Sequence, residues 1–371
     1  MSPIVTKKSP TASPENSASS NADIVFEGVD KVFGKHPVLE DISFSLSAGE
    51  FFAILGPSGS GKSTLLNLIA GFEKPTKGDI RVRGRSILDL PPYARHVGVV
   101  FQNYALFPHL NVVENLAYPL IRKRLDRGTI GKKIAEMLRM MRLEALSQSA
   151  VSEISGGQQQ RVAIARALIA EPDVLLMDEP MAALDKALRD DLQVELKILQ
   201  RRLGTTVIYI THDQREAMAL ADRIGVLNRG RFEQIGSPRE IFNHPASAFI
   251  ARFIAGSTII PGTARKEQGH WLFEMPGGLR VPAEWSQSAK PSEGTAELTI
   301  NPSNVRIADC SDAGIAARVT ASLYVGEATV VHLLASGTIP ITAKEAGWTE
   351  RTVGDDVSIS WAKQDATLFN S

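Results

Sequence analysis

Short, nearly unbroken apolar runs recur along the first two thirds of the chain: Phe51–Leu55, Val97–Phe101, Val174–Met177, Val207–Ile210 and Ile224–Leu227. Runs without polar alternation are the mark of strands buried on both faces, as in a parallel sheet. Ile24–Val32 and Ile42–Leu46 also read as strands. Helical spacing fills the intervals, over Lys62–Ala70, Ile130–Arg142, Gln158–Ala170, Leu184–Leu203 and Gln214–Ala221. This alternation predicts an α/β domain over residues 23–256. The interval between Val100 and Val174 is too long for a plain crossover and is mostly helical, which predicts a helical subdomain over about 103–170.

After Pro261 the helical period disappears. Short alternating runs take its place: Val330–Leu334, Ile339–Thr342 and Val357–Trp361, with turn signals at Ser336-Gly337 and Gly354-Asp355. Residues 257–371 are therefore expected to form a small all-β domain, a barrel or a sandwich. Residues 1–22 hold six Ser and three Pro with little apolar content and read as a disordered tail.

Composition narrows the function classes. The 41 basic and 41 acidic residues cancel, so no global field favours nucleic acid. The single cysteine, Cys310, cannot form an internal disulfide, which fits a reducing compartment. No apolar stretch is long enough to span a bilayer, and the N-terminus lacks the apolar core of a secretory signal. A role at a membrane would then require docking onto another protein.

Three motifs carry chemistry. The first is Gly56-Pro57-Ser58-Gly59-Ser60-Gly61-Lys62-Ser63-Thr64, between a predicted strand and a predicted helix. It fits the phosphate-loop pattern, whose glycines let backbone N–H groups turn inward onto phosphate oxygens. The helix start adds its positive end, Lys62 a point charge for the β/γ-phosphates, and Ser63 a hydroxyl for Mg²⁺. The second is Val174–Met177 followed by Asp178-Glu179-Pro180. An acid at the carboxyl end of a buried strand is placed to help hold Mg²⁺, and Glu179, one residue on, to polarise an attacking water. The third is Ile154-Ser155-Gly156-Gly157-Gln158. Ser155 caps a helix whose small first residues leave its N-terminus open to an anion.

With these motifs in this order, the chain resembles the ATP-binding cassette (ABC) ATPases. The resemblance implies that Ser155, Gly156, Gly157 and Gln158 close over ATP held by a second copy in a head-to-tail pair. It assigns Gln102 as the Q-loop glutamine sensing Mg²⁺ and γ-phosphate, Asp185 as the D-loop acid, His212 as the switch histidine and Phe33 as the aromatic on adenine. Glu179, His212 and Gln102 are thus the expected catalytic set, and Ser63, Gln102 and Asp178 the expected Mg²⁺ set. Two departures stand out: Ile154 replaces the usual leading Leu, and Ala182 stands where Ser is common.

The segment Phe101–Leu110 resembles the Q-loop region of bacterial importers, where it meets a helix of the membrane subunit. Tyr104, Leu106 and Phe107 are expected to be exposed there for docking. Asn301-Pro302-Ser303-Asn304-Val305-Arg306-Ile307 is similar to a strand of the transport-associated OB-fold (TOBE) domain, with Asn301 in place of the usual Arg. The C-terminal segment is most similar to the spermidine/putrescine branch, with importers of ferric iron or phosphorylated solutes as alternatives. The resemblance implies two transmembrane permease subunits and an extracytoplasmic solute-binding protein as partners, and a peripheral position on the cytoplasmic face of the inner membrane. A chromatin or repair ATPase is the rival class, but neither a long coiled coil nor a zinc-binding insertion is present. A third reading is a regulatory module whose β domain gates ATP use.

Overall fold

A computed structural model of the chain describes residues 22–182, 184–309 and 314–371. The predicted tail, apart from Ala22, lies outside the described residues, as do Ala183 and Cys310. Two compact units emerge. One joins the chain up to Phe52 with Ser63–Tyr209; the other joins Ala53–Lys62 with Ile210–Ser371.

In the second unit Arg231–Gly236 pairs antiparallel with Arg223–Asn228. Phe51–Leu55 and Thr206–Ile210 are buried at every position, as the apolar runs Phe51–Leu55 and Val207–Ile210 require. In the first unit Val97–Val100 runs parallel to Val174–Asp178 with Val100 opposite Met177. Both chains therefore leave the sheet at the same edge. The same unit carries a four-stranded sheet in the order His36–Ser47, Ala22–Phe33, Lys77–Val82, Arg85–Ser86.

The helix Val112–Arg122 is absent from the predicted elements. Pro119 inside it masks its period, yet its start is well marked: Asn111 and Glu114 exchange side-chain and backbone hydrogen bonds in a capping box. Val112, Leu116 and Leu120 face the interior at helical spacing. The other predicted helices lie within a few residues of those observed, Arg127–Met140, Gly156–Leu168, Lys186–Leu203 and Gln214–Leu220.

In the second unit, Ala53 and Leu55 pack with Ala217, Ile224, Val226, Ile241, Ile250 and Ile254. Two short helices absent from the sequence reading, Pro238–Asn243 and Ala248–Ala255, supply the last three of these. From Thr258 onward the chain is almost entirely β. Six strands run in the order Arg280–Pro282, His270–Glu274, Thr258–Glu267, Gly294–Ile300, Ala366–Asn370, Glu284–Trp285. Five more follow the order Arg306–Asp309, Asp356–Ser360, Ile315–Tyr324, Ala328–Ala335, Ile339–Ala346. One core fills both sheets, with Phe273, Leu298 and Ile300 from the first meeting Val319, Leu333 and Ile341 from the second. Among the described residues, no helix is long and apolar enough to cross a membrane.

Candidate active site

The phosphate loop follows directly on the buried strand Phe51–Leu55. Gly59 and Gly61 have φ of +77° and +107°, the left-handed region that favours glycine. Gly56 is required for another reason. A Cβ there would stand 2.1 Å from the Leu227 carbonyl oxygen and 2.6 Å from Ser60 Oγ. Backbone would have to move, so Gly56→Ala is expected to destabilise the chain by about 1–3 kcal/mol. A denaturant midpoint and an ATP-binding isotherm check this; nucleotide affinity should fall with stability, because Gly56 belongs to the loop that would have to shift.

The loop is built to hold an anion. Lys62 Nζ donates to the carbonyls of Gly56 and Pro57, both at 2.9 Å, which keeps the ammonium inside the loop. Ser60 Oγ is buried and has no hydrogen-bond partner. A buried hydroxyl without a partner is costly unless a ligand or water completes it. Ser60 O accepts from the Gly230 N–H at 3.1 Å, tying the loop to the turn after Arg223–Asn228. In the same unit His212 follows Thr211, whose N–H donates to Ile54 O at 3.3 Å. His212 is thereby held beside the strand that feeds the loop, and it is exposed.

The first unit holds the other predicted groups. Ser63 and Thr64 lie in the first turn of Lys62–Ala70. Gln102 is exposed two residues beyond Val97–Val100. Asp178 ends Val174–Asp178, and Glu179 follows with φ +44°. The parallel register puts Gln102 and the two acids at one sheet edge. Glu179 is neither Gly nor Asn, so its left-handed backbone is a strained feature, costing on the order of 1–3 kcal/mol. Phe33 is 43% exposed at the end of Ala22–Phe33, with Lys31 Nζ 4.5 Å from its ring centroid. An aromatic left this open at a strand end suits stacking on a planar ligand.

Asp185 caps Lys186–Leu203 by accepting from the Leu188 N–H at 3.0 Å. Ser155 caps Gly156–Leu168 in a capping box: the Gln158 N–H donates to Ser155 Oγ and the Ser155 N–H to Gln158 Oε1. The two helices meet at Gly157, where a Cβ would lie 2.3 Å from Leu188 Cδ2. Arg161 and Glu195 add an ion pair at 3.0 Å between them. The structure thus brings the helix starts at Ser155 and Asp185 together within one unit.

The donor set suits Mg²⁺. Ser63 and Gln102 offer neutral oxygens and Asp178 a carboxylate, all hard donors, and among the described residues no cluster of three His, Cys, Asp or Glu side chains occurs. Mg²⁺ usually takes one or two protein oxygens and fills its shell with phosphate and water.

The docking segment needs a correction. Tyr104 is buried rather than exposed, and its phenol has no hydrogen-bond partner. Burial pushes that phenol up and pulls the Arg166 guanidinium down from their ordinary values. The chain turns inward there through positive φ at Tyr104 and Ala105. Arg166 holds the turn by donating to Tyr104 O at 3.2 Å and lies 5.1 Å from the Phe107 ring centroid. The apolar surface is carried instead by half-buried Leu106 and Phe107 with exposed Tyr118 and Ile121. Asn115 escaped the sequence reading. It is fully buried, accepts from the Phe107 N–H and donates to the carbonyls of Phe107, Leu110 and Asn111. Its signal was present: an Asn inside a helical apolar stripe has to find partners.

A phosphate loop, a strand-end acid pair, a Ser-capped glycine helix and a C-terminal β domain define the class, an ATP-binding cassette ATPase with a TOBE domain. Residues 39–182 match the ABC transporter family and residues 298–369 the TOBE domain. The chain is 42% identical to the spermidine/putrescine import ATP-binding protein PotA of Rubrobacter xylanophilus over 90% of both chains. It is 44% identical to the protein of the same name from Thermotoga maritima over 77% of both, and 42% identical to that of Acetivibrio thermocellus over 82% of this chain and 85% of the other. The chain belongs to this family of spermidine/putrescine import ATP-binding proteins.

Among solved structures, it is similar to cbiO1 of Clostridium perfringens, part of the ABC transporter complex cbiONQ. That match has a TM-score of 0.57 and 30% identity, covering 60% of this chain and 91% of the other. A second match is the ATP-binding cassette MJ0796, in a dimeric post-hydrolysis state bound to ADP and Pi. There the TM-score is 0.53 and the identity 36%, covering 58% of this chain and 99% of the other.

Proposed function

We propose that this chain is the ATP-hydrolysing subunit that powers import of spermidine and putrescine. The observation that carries the reading is the 42% identity to a polyamine-import ATP-binding protein over 90% of both chains, β domain included. The phosphate loop with its inward ammonium and unpartnered Ser60 hydroxyl supports ATP as the substrate.

In this reading the loop amides and Lys62 hold the β- and γ-phosphates, and Phe33 stacks on the adenine. Ser63, Gln102 and Asp178 would hold Mg²⁺, which when bound neutralises phosphate charge. Glu179 takes a proton from the attacking water, and His212 contacts the γ-phosphate. Ser155, Gly156, Gly157 and Gln158 serve the ATP of a second copy, and Asp185 lies at that interface. Two membrane permeases dock on the surface formed by Leu106, Phe107, Tyr118 and Ile121, and an extracytoplasmic binding protein delivers the solute. The subunit works peripherally at the cytoplasmic face of the membrane.

The test is uptake of radiolabelled putrescine and spermidine in cells lacking this gene. Uptake should be lost, restored by the wild-type chain and not by Glu179→Gln. Unchanged polyamine uptake would overturn the substrate assignment and turn attention to ferric iron and phosphorylated solutes.

A further inference from the structure

We infer that Glu216 is a positioning residue for the His212 imidazole, acting through the hydroxyl of Thr211. This rests on the reading of His212 as the γ-phosphate contact. His212 itself is exposed, yet the residues around it are anchored in the interior. Thr211 and Glu216 are 2% and 3% exposed. Thr211 Oγ1 donates to Glu216 Oε2 at 2.8 Å. The same oxygen accepts from the Asp213 N–H at 2.9 Å.

A threonine hydroxyl has one proton and two lone pairs. Committing the proton to the carboxylate turns the lone pairs toward the Asp213 amide. The hydrogen bond is charge-assisted, so it resists rotation more than a neutral pair would. On the other side of His212, the Thr211 N–H is tied to Ile54 O in the strand that enters the phosphate loop, at 3.3 Å. Asp213 Oδ1 closes the arrangement by accepting from the N–H groups of Arg215 and Glu216, at 2.8 and 3.4 Å. The backbone is thus fixed immediately before and after His212. Glu216 sits at the root of that fixation, four residues from the imidazole it steadies.

What position 216 must supply is an acceptor for the Thr211 proton. A Gln offers its amide oxygen for the same bond; an Ala does not. Thr211→Val removes the proton at nearly constant volume, and Thr211→Ser restores it. These pairs separate positioning from bulk.

The experiment uses the full chain and two readouts. The first is steady-state ATP hydrolysis. Glu216→Ala and Thr211→Val are expected to lower kcat by about 10- to 100-fold with KM for ATP held within about twofold, the scale of a small misplacement of a reacting group. Glu216→Gln and Thr211→Ser should stay within about threefold of wild type on the same scale. The second readout is the His212 imidazole resonance in histidine-labelled protein, assigned among the seven histidines by its loss in His212→Ala. It should shift or broaden in Glu216→Ala and Thr211→Val and stay in place in the conservative variants. Wild-type kcat in Glu216→Ala with an unmoved resonance would overturn the inference, as would an equal loss of kcat in Glu216→Gln. If Glu216→Ala fails to fold, the Thr211 pair decides alone. If the wild-type chain itself does not hydrolyse ATP, the ATPase reading falls, and the resonance still decides the positioning.

Discussion

Glu179→Gln is expected to lower kcat for ATP hydrolysis by about 10²–10⁴-fold, the contribution of a positioned general base. The substitution keeps the shape of the side chain but removes its charge and its capacity to accept a proton. The left-handed backbone at Glu179 makes this residue a strained one, held in place by the turn in which the Ala182 N–H donates to Glu179 O at 3.2 Å. Nucleotide affinity should stay close to wild type, because Lys62, Ser60 and the loop amides are untouched. Binding without turnover leaves the ATP-bound pair as the resting species. Single-turnover hydrolysis and light scattering in ATP would show it: a dimer that persists and little phosphate released. Wild-type turnover would mean that another group takes the proton.

The sequence exposed local motifs more readily than the architecture around them. Phosphate-loop glycines answer to local backbone needs, so Gly59 and Gly61 were legible from spacing alone. The same holds for Ser155 and Asp178, whose places at a helix cap and a strand end are local. Gly56 was legible as part of the motif, but the carbonyl of Leu227 that forbids a side chain there comes from a strand distant in sequence. Two adjacent glycines at the signature look alike in sequence and differ in structure. Gly157 packs on Leu188, whereas Gly156 has nothing within 4 Å of where its Cβ would stand. Val112–Arg122 was hidden by Pro119, although Asn111 and Glu114 announced its start. Apolar residues in a loop point to surface, yet the positive φ at Tyr104 and Ala105 turns the Tyr104 ring inward. Register, long-range packing and the direction a loop turns are properties of pairs of segments, and a linear pattern does not carry them.

Ser155→Arg should abolish ATP-driven pairing while each chain still binds ATP. Ser155 is exposed at the start of Gly156–Leu168, and beside it Gly156 leaves the helix N-terminus open. That is where an anion carried by a second copy can approach the helix dipole. An arginine fills this space and removes the cap on the Gln158 N–H, at a stability cost of about 1 kcal/mol that a folded chain tolerates. The phosphate loop of the same chain is unaffected, so nucleotide affinity should hold within about twofold, whereas hydrolysis should fall by about 100-fold or more if, as proposed, the catalytic geometry is completed only across the pair. Mixing gives the sharper test. Glu179→Gln and Ser155→Arg are each expected to be inactive on their own. In a mixed pair, the site whose Glu179 comes from the Ser155→Arg chain takes its signature from the Glu179→Gln chain, and both groups are intact. Hydrolysis should reappear in the mixture at that one site. A mixture as inactive as its components, together with an ATP-dependent dimer of Ser155→Arg, would place the signature outside the partner's site.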